Sequence, residues 1–428
     1  MDHFSYRAGR LHAEGVDLDE IAEAVGTPTY IYSAATIRSH YQRLVEAFGP
    51  LNPLICYSIK SSGNLGVCKL LASLGAGMDV VSGGELHRAI SAGVPASKCV
   101  YAGVGKTDQE IRSAIRAGIG LLNVESEAEF ENIARLAAEA GTTVGCALRV
   151  NPDVDPKTHR YTSTGKKESK FGVDIERARH FFERYGKDRF ALLRGLHLHI
   201  GSPVYTTAPY VDAVNKTLAL MDELAAGGFV VETLDLGGGF GADYESDQSP
   251  VAADYAKAIV PLLEERVKRG LAIILEPGRT IIANAGILLL RVLYMKTSGD
   301  KTFAICDAGM NALLRPSHYN AFHFIWPVEP AEGFVPARRA KEMTIPGLIP
   351  MDVVGPICES GDFLAVDRPL PPLERGDLMA VFTAGAYGMS MASRYNTMPL
   401  PAEVLVDGDA FRVVRRRETY DDLIAHEV

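Results

Sequence analysis

A single lysine lies where a predicted strand meets a turn of small residues, and its amine is placed to act as a nucleophile. Lys60 follows the apolar run 54–59 and precedes Ser61, Ser62 and Gly63. A lysine that is partly withdrawn from water can have a lowered pKa and form an imine with a carbonyl compound. The alternative is a lysine that only extends its ammonium group from a strand end into solvent.

Acidic and imidazole side chains end other predicted strands. Asp79 closes the second strand, and the sixth ends in His197-Leu198-His199, with Ser202 three residues further on. Strand alternation places both histidines on one face. Such a pair could ligate zinc, but no third ligand follows at a metal-binding spacing, so we expect no metal site. An imidazole that packs flat against an aromatic cofactor fits the pattern better.

The last two predicted strands run into a glycine cluster and a charged turn. Glycines 237–239 allow backbone N–H groups to approach and bind a phosphate. The eighth strand ends at Glu276 and is followed by Arg279, a carboxylate and a guanidinium that can hold a cationic ring nitrogen and an anion. A lysine for an imine, a glycine-lined phosphate site, a stacking imidazole and a carboxylate for a pyridine nitrogen together indicate pyridoxal 5'-phosphate.

Composition and charge exclude several classes of protein. Of the 428 residues, 47% are hydrophobic and 23% are charged, so the chain can bury a large core and is not disordered. The 44 basic residues against 53 acidic ones give a net charge of −9, which argues against nucleic-acid binding. The six cysteines are scattered without a CxxC pair, as expected of reduced thiols. Without a membrane-length apolar stretch or a secretory signal, we expect a cytoplasmic protein.

The site residues require a scaffold that brings strand ends together, and strand–helix units repeat between about residues 50 and 280. The predicted strands are continuous apolar runs, which is typical of a parallel sheet buried on both faces. They span 53–59, 77–81, 98–102, 120–124, 143–150, 192–200, 231–236 and 271–275. Eight such units predict a closed (β/α)8 barrel of the TIM type. An open, doubly wound sheet remains an alternative.

A change of pattern after Arg279 predicts a second domain. Short strand-like runs separated by Pro, Gly and Asp turns occur at 287–295, 302–306, 351–354, 363–366, 378–383, 403–406 and 411–415. We therefore predict an α/β protein with a cofactor-binding barrel over residues 34–282 and a C-terminal β-rich domain, of sandwich or barrel type, over 283–428. The β-favouring run 29–32 precedes the barrel, so residues 1–33 are expected to complete the β-rich domain.

One connection, between the fifth strand and the next helix, is unusually long. Loops of more than about 12–15 residues in a compact domain are usually functional or disordered. Tyr161, Lys170 and Phe171 favour the functional alternative here. We predict a lid or an active-site wall over residues 153–170.

These motifs resemble the diaminopimelate decarboxylases, in the alanine-racemase-like fold type III of pyridoxal-phosphate enzymes. The resemblance covers nearly the whole chain and keeps the family's order of motifs. They are Tyr57-Ser58-Ile59-Lys60, Ser163-Thr164-Gly165 with Lys170-Phe171-Gly172, His197-Leu198-His199-Ile200-Gly201-Ser202, Gly237-Gly238-Gly239, Glu276-Pro277-Gly278-Arg279, Leu314-Arg315-Pro316 with Tyr319, Gly355-Pro356-Ile357-Cys358-Glu359-Ser360-Gly361-Asp362, and Gly385-Ala386-Tyr387-Gly388. The resemblance implies decarboxylation of meso-2,6-diaminopimelate to L-lysine and CO₂, the last step of lysine biosynthesis.

The resemblance also implies roles for single residues. Lys60 would carry the internal aldimine, His199 would stack on the cofactor ring, and Glu276 would pair with the pyridine nitrogen. Loss of CO₂ from the external aldimine would leave a quinonoid carbanion, which Cys358 would reprotonate. The cofactor would be bound by Lys60, Asp79, His199, Ser202, Gly237, Gly238, Gly239, Glu276, Pro277, Gly278, Arg279 and Tyr387. The substrate would be bound by Arg279, Arg315, Tyr319, Glu359 and Tyr387.

Partners follow from the same resemblance. In this family the active site forms between two subunits, so a homodimer is implied in which Cys358 and Glu359 reach the cofactor of the other subunit. Apart from the amino-acid substrate and a second copy of the chain, we expect no nucleic-acid or membrane partner.

The chain departs from the family pattern near the lysine and in one later loop. Ser58, Ser61 and Ser62 replace alanines that are frequent around the family's lysine, and Asn64 is displaced. Asn320 follows Tyr319 where the family usually has an aspartate. These changes affect local details of the phosphate and substrate loops rather than the cofactor.

Other functions on the same fold stay open. One is an ornithine or arginine decarboxylase, and another is a regulator that binds the cofactor without catalysis. The Ser-Thr-Gly…Lys-Phe-Gly and Cys-Glu-Ser-Gly-Asp motifs favour the diaminopimelate branch. A racemase needs an acid/base group on each face of Cα, whereas Cys358 in the donor position favours one-way decarboxylation. Retention of both Lys60 and Cys358 argues against a catalytically silent homologue.

Overall fold

The computed structural model describes residues 2–155 and 170–428, which fall into two compact units. One unit contains Tyr41–Gly241 and Ser249–Thr280, and the other contains Met1–His40, Ala242–Gln248 and Ile281–Val428. The predicted lid lies mostly outside the described residues, as do Tyr161 and the Ser163-Thr164-Gly165 motif within it.

Eight parallel strands close into a barrel in the first unit. We number them one to eight along the chain: Leu54–Ser58, Gly77–Val80, Cys99–Tyr101, Leu121–Val124, Val144–Asn151, Ala191–His197, Thr233–Asp235 and Ala272–Leu275. Each strand pairs with the next, and the eighth pairs with the first. This closure confirms the predicted barrel and excludes the open sheet. The interior is packed, with Cys56, Val100, Leu121, Ala147 and Ile274 in one apolar cluster.

Helices connect the barrel strands, and side-chain caps fix where they begin. The helix after the fourth strand begins at Glu127, because the Ser126 side chain accepts a hydrogen bond from the Glu129 N–H. This helix then buries Phe130 and Ile133 on one face. The helices are Ala34–Ala47, Leu65–Ser73, Gly83–Ser91, Asp108–Ala117, Glu127–Glu139, Ile175–Tyr185, Ala208–Ala226 and Ala252–Lys268, with 3₁₀ turns at Gly49–Leu51, Ile59–Ser61 and Ala96–Lys98, and a short strand, Val173–Asp174, pairs with the fifth strand.

The sixth strand ends earlier than the sequence predicts. It stops at His197 rather than at residue 200. The Leu198 N–H makes the last ladder bond, to the Asp235 carbonyl, and Asp235 is also where the neighbouring seventh strand ends. The prediction that one strand face carries both histidines is therefore wrong. His197 lies in the strand and is buried, whereas His199 lies in the loop that follows it.

The second unit is rich in β-structure, as predicted, and the N-terminal segment completes its main sheet. Thr29–Ser33 pairs antiparallel with Gly286–Ser298 and parallel with Ala402–Asp407. The other strands are Phe4–Arg7, Arg10–Ala13, Val16–Asp17, Lys301–Cys306, Ile325–Pro327, Ile349–Val354, Phe363–Leu370, Leu378–Val381 and Ala410–Arg415. The helical segments are Leu18–Val25, Arg279–Ile282, Arg315–Tyr319, Met389–Met391, Tyr395–Thr397 and Tyr420–Ile424.

The described residues contain neither a membrane-spanning helix nor a disulfide bond. Within residues 2–155 and 170–428, we find no helix whose length and apolar character would let it cross a membrane. None of the six cysteines, which all lie in the described residues, forms a disulfide; Cys358 is exposed and the other five are buried.

Candidate active site

The ends of the first two barrel strands place the predicted nucleophile against an acid. Lys60 lies in the turn Ile59–Ser61, and its Nζ is 2.5 Å from Oδ2 of Asp79. Asp79 is fully buried, whereas 33% of the Lys60 side chain is exposed. Burial and the nearby Glu276 carboxylate raise the pKa of Asp79, and the Lys60 ammonium opposes this shift. The Lys60 amine is therefore held at the carboxyl edge of the barrel and does not simply extend into solvent.

The serines that replace the family's alanines hold this turn in place. Ser58 Oγ lies 2.7 Å from Asp79 Oδ2 and 2.9 Å from the carbonyl oxygen of Glu276. Ser61 Oγ donates to the Ser58 carbonyl at 2.7 Å. Ser62 Oγ is buried and has no hydrogen-bond partner among the described residues. Ser58 thus connects the acid beside Lys60 to the backbone of the eighth strand.

The His199 imidazole is neutral and lies close to the glycine turn. The Gly238 N–H points to His199 Nδ1 at 3.4 Å, which makes Nδ1 the acceptor and leaves the ring proton on Nε2. Burial lowers the pKa of His199 well below its ordinary value, and the Arg149 and Lys60 charges lower it further. A neutral imidazole at this edge is suited to packing against a flat aromatic ring.

The turn after the seventh strand requires glycine because neighbouring backbone comes very close. A Cβ added to Gly237 would lie 2.2 Å from the Leu198 carbonyl oxygen, and one added to Gly238 would lie 2.1 Å from that of Glu276. Gly239 has φ +94°, a conformation that side chains disfavour. The turn therefore forms a concave backbone surface of the kind that binds phosphate groups.

A cation and a hydroxyl lie at the same edge as the glycine turn. Arg279 Nε donates to Ser202 Oγ at 3.3 Å, and Arg279 is buried. A Cβ on Gly239 would meet the Gly201 carbonyl at 2.1 Å, which places the Ser202 loop against the turn. Gly278, between Pro277 and Arg279, also lies close to the Ser58 side chain, since a Cβ added to it would be 2.9 Å from Ser58 Cβ. This set provides positive charge and hydrogen-bond donors for an anion.

Glu276 lies at the end of the eighth strand within a buried polar cluster. Its Oε2 is 3.3 Å from His197 Nε2, and its Oε1 is 3.3 Å from Asn123 Nδ2. The same amide nitrogen is 3.3 Å from Oδ2 of Asp235. Burial alone would raise the pKa of Glu276, but His197 and Lys60 outweigh it and lower the pKa below its ordinary value. Glu276 is therefore ionised and suited to hold a protonated ring nitrogen.

The residues of this edge fit pyridoxal phosphate. The amine of Lys60 can condense with an aldehyde, and the glycine turn with Arg279 and Ser202 can bind a phosphate. The buried Glu276 carboxylate can bind a cationic nitrogen. The fold places Lys60, Asp79, His199, Ser202, Gly237, Gly238, Gly239, Glu276, Pro277, Gly278 and Arg279 in or next to this edge.

Apart from Arg279, the residues predicted to bind substrate belong to the β-rich unit. The extent of their burial differs. Arg315 is buried, and its Nη1 lies 2.7 Å from the Tyr244 hydroxyl and 3.2 Å from His323 Nε2. Tyr319 packs edge-on against its neighbour His318, with ring centroids 4.5 Å apart. Asn320 then adopts φ +52°, a left-handed conformation that asparagine tolerates at a helix end. Tyr387 is half-buried, also with a positive φ.

Two side chains to which the sequence analysis assigned no role hold the loop that carries Cys358 and Glu359. Both Asp362 carboxylate oxygens accept backbone bonds, from the Met310 and Ile357 N–H groups, each at 2.6 Å. The Cys358 N–H donates to Asn396 Oδ1 at 2.8 Å. The exposed thiol therefore projects from a loop whose backbone is fixed.

Sequence reasoning also missed the residues around Glu276. Asn123 is the penultimate residue of the fourth strand, and Asp235 ends the seventh. Both positions follow the strand-end rule that identified Asp79, but only the closed barrel shows that they meet.

Comparisons with known proteins agree with the cofactor that these residues fit. A family described as "Pyridoxal-dependent decarboxylase, pyridoxal binding domain" matches residues 34–283. A diaminopimelate decarboxylase of Pseudomonas aeruginosa is 47% identical over 428 residues, covering 100% of this chain and 99% of that protein. One of Aquifex aeolicus is 45% identical and covers 99% and 96%.

Solved structures give the same result. The diaminopimelate decarboxylase of Helicobacter pylori, complexed with L-lysine, has a TM-score of 0.89 at 40% identity and covers 96% of this chain and 99% of that one. That of M. jannaschii, in co-complex with L-lysine, has a TM-score of 0.92 at 37% identity and covers 100% and 98%. The chain therefore belongs to the diaminopimelate decarboxylase family of pyridoxal-phosphate-dependent carboxy-lyases.

Proposed function

We propose that this protein decarboxylates meso-2,6-diaminopimelate to L-lysine and CO₂, the last step of lysine biosynthesis. The observation that carries this proposal is the meeting of Lys60, the glycine turn and Glu276 at one edge of the barrel. It occurs in a chain that matches diaminopimelate decarboxylases over its full length. We place the reaction in the cytoplasm. The absence of a disulfide among the six cysteines supports this location.

The barrel residues would hold the cofactor in a form that is ready to decarboxylate the substrate. Bound pyridoxal phosphate supplies an electron sink conjugated with the amino-acid nitrogen. The Lys60 amine would hold the cofactor at its aldehyde group, and the Glu276 carboxylate would hold a proton at the ring nitrogen. Fixed charge directed at developing charge is a large catalytic contribution. Arg279 and Ser202 bind the phosphate with the glycine turn.

Substrate selection requires groups for a distal carboxylate and a distal ammonium. Arginine binds carboxylates through paired hydrogen bonds, and a glutamate binds an ammonium. We assign the carboxylate to Arg279 and Arg315 and the ammonium to Glu359. We also assign Tyr319 and Tyr387 to substrate binding, and Tyr387 to cofactor binding.

After CO₂ leaves, Cα must receive a proton, and we assign this step to Cys358. Its thiol is exposed in the single chain, and its loop is fixed by Asp362 and Asn396. An exposed thiol on a rigid loop is suited to reach a site formed with another molecule. We therefore propose a homodimer in which Cys358 and Glu359 complete the site of the other subunit.

A side-by-side assay of CO₂ release decides the substrate. The purified protein is supplied with pyridoxal phosphate and given meso-diaminopimelate, L-ornithine, L-arginine or L-lysine in parallel. We expect release only from meso-diaminopimelate. Release from ornithine or arginine would assign the chain to the basic amino-acid decarboxylases, and release from none would support a non-catalytic regulator.

A further inference from the structure

Glu276 has three buried neighbours that the proposed function does not use. His197, Asn123 and Asp235 have relative exposures of 1%, 0% and 0%, so water does not satisfy their polar atoms. Neither His197 ring nitrogen has a hydrogen bond of good geometry among the described residues, although Nε2 is 3.3 Å from Glu276 Oε2. Buried polar groups normally have partners, so this cluster requires an explanation.

A single proton held between the two acids, Asp235 and Glu276, explains part of this cluster. The Asp235 and Glu276 carboxyl groups are in hydrogen-bonding contact, and like charges at that distance cannot both be ionised without a large cost. Burial and Glu276 raise the pKa of Asp235 well above its ordinary value, whereas the pKa of Glu276 is lowered. Asp235 Oδ1 accepts from the Gly237 N–H at 2.9 Å, which leaves Oδ2 to carry the proton.

We propose that His197 and Asp235 are positioning residues that keep Glu276 ionised for the cofactor. Asp235 carries the shared proton and donates it in a hydrogen bond to Glu276, and His197 directs Nε2 at the other side of the same carboxylate. Asn123 holds both acids with one amide nitrogen. This inference rests on the assignment of Glu276 to the ring nitrogen in the proposed function.

A metal ion is the competing occupant of this cluster. Ligand atoms of His197, Asp235 and Glu276 lie within 4.8 Å of one another, which is close enough for a cation. However, the Asn123 amide faces both acids, and the Gly237 N–H faces Asp235. N–H donors directed at the same oxygens would repel a cation, so hydrogen bonds explain the cluster better.

The pH behaviour of Glu276 depends on the charged and titratable groups that face it. They come from several strands of the barrel and from the loops after them. They are Cys56, Lys60, Asp79, His197, His199 and Asp235. Of these, His197 and Asp235 are the two in direct contact with the carboxylate that are not assigned to the cofactor.

Two substitutions separate the roles of these neighbours. Asp235→Asn imitates a protonated carboxyl group in two of its three contacts. Its amide still donates to Glu276 and its oxygen still accepts from Gly237, whereas the acceptor for Asn123 is lost. His197→Phe keeps a ring but removes the donor. His87→Gln, at an exposed helical position, serves as the control.

The readouts are the dissociation constant for pyridoxal phosphate and the pH dependence of the bound cofactor's absorbance. We expect Asp235→Asn and His87→Gln to stay within about twofold of wild type, whereas His197→Phe binds about 10- to 100-fold more weakly, equivalent to ~1.4–2.8 kcal/mol. In His197→Phe, the pH below which affinity falls should move upward, because Glu276 then protonates more easily. If His197→Phe does not fold, as judged by circular dichroism, His197→Gln should retain affinity near wild type, since its amide still donates.

Several results would overturn the proposal. If Asp235→Asn weakens cofactor binding as much as His197→Phe does, Asp235 is ionised. If the pH profile of His197→Phe is unshifted, His197 has no positioning role. Stoichiometric binding of Zn²⁺ alone to wild type, lost in His197→Phe, would assign the cluster to a metal. Failure of wild type to bind pyridoxal phosphate at all would instead refute the proposed function.

Discussion

The barrel edge and the Cys358 loop place their side chains in opposite ways. At the barrel edge, Asp79 and Glu276 are buried and fixed by neighbours from several strands. On the loop, Cys358 is exposed, and only its backbone is fixed. The barrel therefore brings together buried, fixed groups that fit the cofactor, whereas the loop presents a thiol outward. The first arrangement suits a resident cofactor, and the second suits a group that acts on another molecule.

Replacement of Lys60 tests the barrel half of this comparison and has the largest expected effect. In Lys60→Ala, the absorbance band of the covalent imine should disappear, and turnover should fall by more than about 10³-fold, because a covalent step is lost. Lys60→Arg is the matched control, since it keeps the charge beside Asp79 but cannot form an imine. A covalent band that persists in either variant, seen in the absorbance spectrum, would contradict the assignment of Lys60.

Replacement of Cys358 tests the loop half. Cys358→Ala should slow decarboxylation by about 10²–10⁴-fold, the usual contribution of a placed proton donor, while the cofactor absorbance stays unchanged. Cys358→Ser, which retains size but is a much weaker acid, should not restore the rate. Turnover equal to wild type in both variants, measured as CO₂ release, would make the thiol structural and would leave the loop without a proton role.

Mixed dimers sharpen the same prediction. Inactive Lys60→Ala and inactive Cys358→Ala chains, mixed and allowed to exchange subunits, should regain part of the wild-type activity if each site takes its thiol from the other subunit. One of the two sites in a mixed dimer then has both groups intact. Activity that never rises above that of the separate variants would place both groups in the same subunit.

The pH dependence of stability tests whether a proton is stored in the barrel. Burial and Glu276 raise the folded pKa of Asp235 above its unfolded value, so the folded protein keeps a proton that the unfolded chain releases above about pH 4. This contribution is therefore present below the unfolded pKa and is lost as pH rises through the folded pKa. The loss reaches at most ~1.4 kcal/mol per pH unit for one proton.

Asp235→Asn has no proton to release at this position and should lack that loss. Denaturant unfolding of both proteins between pH 4 and pH 8, in the same cofactor state, measures the difference in the free energy of unfolding. Wild type should lose stability relative to the variant as pH rises. Parallel curves would show that Asp235 titrates alike in the folded and unfolded chains.

Local sequence features predicted the parts of the site that depend on single strands. An apolar run followed by a polar residue identified Lys60, Asp79 and Glu276, because the carboxyl ends of parallel strands meet at one edge. The contact between Asn123 and Asp235 could not be predicted, since it depends on which strands face each other across the closed barrel. The sixth strand ends at His197 opposite the end of its neighbour, the seventh strand, at Asp235, and no pattern within the sixth strand encodes where that neighbour ends.

Two neighbouring serines provide the smallest and most local test of the barrel edge. Ser58 Oγ bridges Asp79 and the Glu276 carbonyl, whereas the Ser62 hydroxyl is buried without a partner among the described residues. Ser58→Ala should lower the free energy of unfolding by about 1–2 kcal/mol, because buried Asp79 loses a hydrogen bond. Ser62→Ala should be neutral or slightly stabilising, since it removes a buried, unsatisfied hydroxyl.

Denaturant unfolding of the two variants beside wild type makes the comparison direct, because the same chemical group is removed four residues apart. The cofactor dissociation constant should also rise in Ser58→Ala, since Asp79 is then less fixed beside Lys60. Equal effects of the two substitutions would mean that serine at position 58 does not tie the second strand to the eighth. The rigidity of the barrel edge would then come from strand pairing alone.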